Sequence, residues 1–377
     1  MDNRKAPERI LYVHGSTMNR GGTEAYMMNY YRHFDRSRLQ VDFVVHGFGE
    51  GAYDAEIKAM GGRIFHVPVK SQDPVGNLRE LRKILSSGEY RVVHAQLDTM
   101  NAPVLKIAKD CGVPVRVSHS HNTAVQTSNP LKLLLNELTR RQIPKVATHL
   151  FACSEPAGQW LYGGRDFRVI PNAIDLHRFA FDPVKRKEIR AALGLAEDAV
   201  VIGHVGRFSR QKNHPFFIPL MKILLERDDR CRLVLVGDGP DQALFRQQAR
   251  AAGIGHAVRI VEACPNVQEY YNVFDVFCLP SLFEGLGIVG LEAQANGLPC
   301  IVSDAVPAAL NVCGSLRYLP IGEKDPAVWA DNVMKLAAKP RDHRAAEALR
   351  AAGYDIFAAA AALQDWYLEI AERSGTE

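Results

Sequence analysis

Short β-rich runs alternate with helical patterns along the whole 377-residue chain, and the alternation falls into two series. In the first, strands are predicted at 9–14, 40–46, 63–66, 91–95, 113–119, 148–153 and 167–170. Helical patterns lie between them near 23–34, 53–60, 75–86, 100–110, 130–142 and 155–162. Such a rhythm implies a parallel sheet covered by helices on both faces. Pro171-Asn172-Ala173-Ile174-Asp175 then breaks the pattern, and the stretch to about Pro183 reads as a linker. The second series places strands at 200–205, 232–236, 258–261, 276–279 and 300–302. Its helices fall near 213–227, 240–252, 266–273, 287–296, 325–337 and 340–350. The tail, 355–373, is a further helical pattern with Tyr354, Phe357, Leu363, Trp366 and Tyr367 as candidate anchors. The expectation is two doubly wound α/β domains facing each other, with a ligand in the cleft between strand C-termini. That architecture does not by itself name a reaction.

Composition removes several classes of function. Hydrophobic residues make up 47% and charged residues 23%, the balance of a globular protein with large cores. No apolar run reaches bilayer length, and no apolar stretch precedes the first strand, so neither a membrane span nor a secretory signal is expected. Seven cysteines are scattered without a CxxC pair, which favours thiols in a reducing compartment over a structural zinc site. A net charge of +4 is too mild to imply nucleic acid.

The chemistry concentrates where strands end. Val276-Phe277-Cys278-Leu279 runs into Pro280-Ser281-Leu282-Phe283-Glu284-Gly285-Leu286-Gly287-Ile288-Val289-Gly290-Leu291-Glu292. The glycines let backbone N–H groups approach a ligand without Cβ interference. A helix opening near Gly287 offers unpaired donors and a positive dipole end to an anion, with Glu292 about one and a half turns in. Two carboxylates flanking an anion site suit a ligand with hydroxyls at one end and phosphates in the middle, as in a nucleotide sugar. Gly206-Arg207-Phe208-Ser209-Arg210-Gln211-Lys212 follows the strand at 200–205, where Arg207 and Lys212 could offset a diphosphate; the alternative is a solvated basic loop. Gly237-Asp238-Gly239-Pro240 allows close ligand approach or is an ordinary strand-to-helix turn with Pro240 in the first helical turn. Gly21-Gly22-Thr23-Glu24 could form a backbone anion nest, or a helix start with Thr23 as N-cap; it departs from the dinucleotide fingerprint. Ser118-His119-Ser120-His121-Asn122 puts polar side chains at a strand end, with the choice between His119 and His121 open and no third metal ligand in reach. The helix at 130–142 mixes leucines with basic residues, which fits an anionic membrane surface or plain docking on its own sheet.

Together these segments resemble the retaining glycosyltransferase family 4, of GT-B architecture. The resemblance covers nearly the whole chain and is strongest from Gly206 to Asp304. The two glutamates of the family's seven-residue-spaced pair match Glu284 and Glu292 in the setting Pro-Ser-x-x-Glu-Gly-x-Gly. The resemblance implies that Glu284 contacts hydroxyls of the transferred sugar and Glu292 the nucleotide ribose. Arg207 and Lys212 would hold the diphosphate. His119 or His121 would match the cleft histidine. Gly21, Gly22 and Gly237, with the stretch Gly285, Leu286, Gly287, Ile288 and Val289, would line the donor site. Leu286 stands where the family usually has Phe, and Ala173 where its linker often has Gly. The opening Gly-Gly-Thr-Glu and the His-Ser-His-Asn segment are most similar to bacterial transferases of capsule and exopolysaccharide assembly.

The resemblance further implies an N-terminal acceptor-side domain of residues 1–177 plus 355–377 and a nucleotide-sugar-binding domain of 178–354. It implies metal-independent, retaining transfer of a hexose or N-acetylhexosamine, from a UDP-sugar, to a glycan or lipid-linked acceptor. No cofactor or metal is expected. The expected location is the cytoplasm, with peripheral contact at the inner membrane face a further expectation. Two rivals share the architecture: a nucleotide-sugar 2-epimerase, and a non-catalytic subunit that keeps the nucleotide pocket.

Overall fold

A computed structural model describes residues 6–123 and 129–375. It divides into two compact units, Met1–Ala173 with Ile356–Glu377, and Ile174–Asp355. The first contains β1 (Glu8–His14), β2 (Leu39–His46), β3 (Ile64–Val67), β4 (Val92–Gln96), β5 (Val115–Ser120), β6 (His149–Ala152) and β7 (Arg168–Val169). They form one parallel sheet in the order β3-β2-β1-β4-β5-β6-β7. The alternation of side chains along β1 shows why the sheet is covered on both faces. Ile10 and Tyr12 enter one core with Tyr30, Tyr31 and the C-terminal helix Ile356–Arg373. Leu11 and Val13 enter another with Leu81, Leu105 and Ile143.

The second unit contains β8 (Val200–Val205), β9 (Cys231–Val236), β10 (Val258–Val261), β11 (Val276–Leu279), β12 (Cys300–Ser303) and β13 (Leu316–Leu319). These are also parallel, in the order β10-β9-β8-β11-β12-β13. Val201 and Val205 face one core and Ile202 the other. In each sheet the strand order reverses beside the first strand, between β1 and β4 and between β8 and β11. The C-terminal ends of those strand pairs are where open α/β sheets hold ligands.

Several elements differ from the sequence expectation. The contact boundary lies at Ala173/Ile174, not after residue 177. The Ile174 amide donates to Tyr354 O at 3.0 Å, and Ile174 and Leu176 are buried in the second unit's core. The helix Pro183–Ala192 was not expected, because it carries no clear apolar stripe. Its one buried residue is Arg190, whose guanidinium donates to Val273 O and the Asp275 carboxylate. β13 was missed as a four-residue edge strand. The helix expected to stop at 142 runs Pro130–Val146 through Pro144, with Ile143 and Val146 buried beyond the expected stop. Residues Arg210–Lys212 and His214–Phe216 form two 3₁₀ turns before the helix Phe217–Arg227, separated by Asn213 at φ 53.

Candidate functional site

The second unit brings its two switch-point loops together. The loop after β8 and the loop after β11 are joined by the Leu282 amide donating to Gln211 O at 2.8 Å. The Gln211 side-chain amide reinforces this by donating to Phe283 O at 3.1 Å. The loops position Lys212 against Glu284, with Nζ to Oε1 at 2.6 Å and both side chains largely buried. The Ser281 hydroxyl also donates to Glu284 Oε1 at 2.6 Å, and Gln211 Nε2 donates to Oε2 at 3.3 Å. A Cβ on Gly206 would lie 3.0 Å from His204 Nε2 and 3.2 Å from Lys212 Cε, so the lysine stem packs directly over this backbone. Three donors on one carboxylate fix its plane, so the second oxygen's remaining lone pairs are held in one direction. Arg207, on the same loop, is exposed and makes no hydrogen bond or ion pair through its guanidinium among the described residues.

Glu292 lies on the helix Ile288–Ala295, which opens after Gly287 in the left-handed region at φ 87. The Tyr271 hydroxyl donates to Glu292 Oε2 at 2.5 Å. Burial raises the Glu292 carboxyl above its usual range, against the Tyr271 hydrogen bond and the positive charges of Arg178 and Lys212. Lys212 therefore sits within electrostatic reach of Glu292 as well as in contact with Glu284. The amides of Ile288 and Val289, at the start of the helix, lack intrahelical acceptors by position. The Leu286 side chain is buried in the core, so only its backbone faces the loop. Of Gly285 and Gly287, only Gly287 is in the left-handed region.

Gly237 and Gly239 have a different setting from the one expected. A Cβ on Gly237 would lie 2.1 Å from Gly206 O, and one on Gly239 would lie 2.4 Å from Phe208 O. Phe208 N donates to Asp238 O at 2.7 Å and Gly206 N to Val236 O at 3.0 Å. The Gly-Asp-Gly turn thus presses directly on the loop that carries Arg207. Pro240 precedes the helix Gln242–Ala251, whose N-cap is Asp241, and is not in its first turn.

In the first unit the helix Gly22–His33 starts at Gly22 with Gly21 as N-cap, so Thr23 does not cap it. Glu24 folds back over this start: its Oε2 lies 2.4 Å from where a Gly21 Cβ would be. Its Oε1 pairs with His14 Nε2 at 3.2 Å and accepts from Ser16 Oγ at 3.4 Å. Gly22 has open space around its Cβ position. His119 and His121 stack on each other with ring centroids 4.2 Å apart. His119 is wholly buried, and its Nδ1 meets His94 Nε2 at 3.0 Å. His94 in turn bonds the Tyr367 hydroxyl from the C-terminal helix. His121 lies just beyond the end of β5 and is 8% exposed. Burial and neighbouring histidines push both imidazoles down, His119 well below its ordinary value and His121 to about 3, so both are neutral near pH 7.

Three functional partners escaped sequence reading. Ser281 and Gln211 stood inside quoted motifs, three and 73 residues from the glutamate they hold, without a signal for that role. Tyr271 has none, because its link to Glu292 is purely tertiary. Among the described residues no group of three or more His, Cys, Asp or Glu could hold a metal ion. A surface hollow of about 580 Å³ lies at the opposite, N-terminal edge of the first sheet, around Thr148, His149 and Arg168, and includes none of the expected site residues.

The family model described as Glycosyltransferase Family 4 matches residues 20–178, and the one described as Glycosyl transferases group 1 matches 185–354. The chain is 40% identical over 359 residues to EpsF of Bacillus subtilis (strain 168), itself described only provisionally as a glycosyltransferase, covering 92% of this chain and 93% of that protein. It is 28% identical over 257 residues to a UDP-Gal:alpha-D-GlcNAc-diphosphoundecaprenol alpha-1,3-galactosyltransferase of Escherichia coli, covering 64% and 66%. Among solved structures, Anabaena HepE in complex with UDP and glucose superposes with a TM-score of 0.76 at 19% identity, over 95% of this chain and 98% of that one. WaaG, a glycosyltransferase of lipopolysaccharide biosynthesis, gives 0.68 at 18% identity, over 94% and 98%. The likeness spans both units and shows the two-domain α/β GT-B fold.

Proposed function

The chain belongs to glycosyltransferase family 4, and from that premise we propose that it moves a hexose or N-acetylhexosamine, with retention, from a UDP-sugar to a glycan or lipid-linked acceptor in capsule or exopolysaccharide synthesis. The observation that carries this reading is Glu284, held at 2.6 Å by both Lys212 and Ser281 on loops that meet at the switch point of the second sheet. Arg207 and Lys212 supply cations for the diphosphate, the amides of Gly285 to Val289 line it, and Glu292 accepts from ribose hydroxyls. Glu284 orients the transferred sugar. In the step itself the bond from the anomeric carbon to the diphosphate oxygen breaks, and a bond to the acceptor oxygen forms on the same face. The acceptor's proton passes to the departing diphosphate. The protein's contribution is positioning and charge stabilisation, with no metal required.

His121, rather than His119, is the imidazole available to a substrate hydroxyl, because His119 is sealed between His94 and His121. On the helix Pro130–Val146, Leu131, Leu134, Leu135 and Leu138 are exposed and lie at i, i+3, i+4 and i+7, a single stripe. It stands roughly a quarter turn from the buried stripe of Thr139, Ile143 and Val146. With Arg141 and Lys145 flanking them, these leucines suit an anionic membrane surface on the cytoplasmic side, where a lipid-linked acceptor resides. Among the described residues no helix is long and apolar enough to cross a membrane.

The test is product analysis with a panel of nucleotide sugars, with and without undecaprenyl-linked and soluble glycan acceptors, in buffer containing EDTA. A glycoside of unchanged anomeric configuration is expected. An altered sugar nucleotide formed without acceptor would establish the epimerase instead. Tight nucleotide-sugar binding with no product on any acceptor would establish a binding subunit.

A further inference from the structure

We propose that Gln96 and Asp98, which follow one another out of β4, are positioning residues that present His121 Nδ1 as a hydrogen-bond acceptor to a substrate hydroxyl. The inference rests on the transferase reading above and deepens it. Gln96 Oε1 lies 2.5 Å from His121 Nε2. In this orientation of the Gln96 amide, which leaves its Nε2 buried without a hydrogen-bond partner among the described residues, the carbonyl oxygen accepts, and that places the imidazole proton on Nε2 and the lone pair on Nδ1. Asp98 fixes the backbone of the same segment. Its Oδ1 accepts from the His121 amide at 2.6 Å and the Asn122 amide at 3.3 Å, and its Oδ2 accepts from Asn122 Nδ2 at 2.6 Å.

Asp98 holds this geometry at φ 52, and with Asn213 it is one of two non-glycine residues in the left-handed region among those described. Such strain costs free energy and persists where the surroundings enforce it, commonly at functional sites. Asn101 completes the clamp: its side chain accepts from the Leu97 amide at 2.7 Å and donates to Ser118 Oγ at 2.9 Å and His119 O at 3.0 Å. Three side chains from one strand exit thus grip the backbone and the ring of the next strand's exit. A purely packing role would need neither a defined tautomer nor a carboxylate spread over two successive amides.

The groups that face the His121 ring or its anchors are few. Among the described residues they are His119 on the same segment, Gln96 at the end of β4 and Asp98 after it, His94 within β4, Cys153 after β6 with its Sγ 3.6 Å from His121 O, Tyr26 on the Gly22–His33 helix with its ring 5.1 Å away, and His14 at the end of β1, itself paired with Glu24. None is a permanently charged cation, so the ring's protonation answers mainly to its burial and to the residue at position 96.

Histidine-selective ¹⁵N labelling of the full chain reads the tautomer directly, with His121→Ala assigning the signal. Neutral Nε2–H is expected at pH 7.5, and an Nδ1–H tautomer in the wild type overturns the proposal. Steady-state transfer is measured on Gln96→Leu, Gln96→Glu and Asp98→Gly. Gln96→Leu and Asp98→Gly should each lower kcat by about 100-fold with little change in donor KM, the scale of a misplacement near 1 Å. Gln96→Glu keeps the acceptor oxygen, so it should restore turnover and move the acid limb of the pH profile upward, which a structural role would not. Wild-type turnover in Gln96→Leu and Asp98→Gly overturns the proposal while leaving transferase activity standing. A wild-type protein that turns over no nucleotide sugar sinks both readings.

Discussion

Lys212 answers to two partners, and the variants that separate them separate catalysis from folding. Arg207→Ala removes an exposed cation whose guanidinium has no hydrogen-bond or ion-pair partner among the described residues, so stability should move by less than about 0.5 kcal/mol. Transfer should fall by about 10² to 10³ in kcat, as when one preorganised donor is lost. Lys212→Met should show a similar fall in kcat together with a loss of about 1–3 kcal/mol, because Glu284 then loses a donor in a largely buried setting. Urea titrations alongside steady-state kinetics check both; unchanged kcat in both variants rules out the diphosphate role. Gly237→Ala makes the opposite case. A φ of 149 and a clash with Gly206 O predict about 1–3 kcal/mol of destabilisation, read as a lower urea midpoint. At this scale the positions of Arg207, Lys212 and Glu284 on the loops after β8 and β11, and of Glu292 on the helix that follows, were legible because glycines and charges stand just after apolar strands. Tyr271, Ser281 and Gln211 were not legible as partners, since a hydrogen bond between distant residues leaves no periodic trace.

The helix Pro130–Val146 shows how an element can satisfy two surfaces. Its second half packs through Ile143 and Val146, while its first half exposes four leucines on one stripe, Leu131 at 74%. Replacing Leu131, Leu134 and Leu138 together with serine should abolish co-sedimentation with anionic vesicles and leave the urea midpoint nearly unchanged. Equal sedimentation of the triple variant and wild type would remove the membrane assignment. The same helix runs past its expected end at 142 through Pro144, although proline removes a donor and crowds the preceding turn. Tertiary burial of Ile143 and Val146 offsets that local penalty. The helix Pro183–Ala192 went unread for the converse reason: its anchor is a buried arginine rather than an apolar stripe.

Six buried histidines whose protonation burial opposes dominate the pH response of stability below pH 6.5. Burial depresses His46 to about 4, His121 and His214 to about 3, and His94, His119 and His204 well below their ordinary 6.5. The unfolded chain therefore binds more protons than the folded one below pH 6.5, so stability is complete above that value and falls as pH drops towards 4. Each such histidine contributes roughly 1.4 kcal/mol per pH unit in this window. Glu292 and Asp98, whose carboxyls burial raises, oppose the trend. Chemical denaturation at pH 7.0, 6.0 and 5.0 should show a steadily lower midpoint; a flat profile would contradict the buried, neutral state of these rings. The second unit is one continuous segment with its own sheet and cores, so Ile174–Asp355 expressed alone should fold and gain thermal stability with UDP. The sequence by itself determined the two parallel sheets and the strand-end positions of the charged motifs, because alternation and apolar runs are local properties of the chain. Only the tertiary structure decided which donors hold each glutamate, that His119 is wholly buried while His121 is 8% exposed, and where one unit yields to the next. Those outcomes depend on contacts between residues far apart in sequence, whose energies no local pattern encodes.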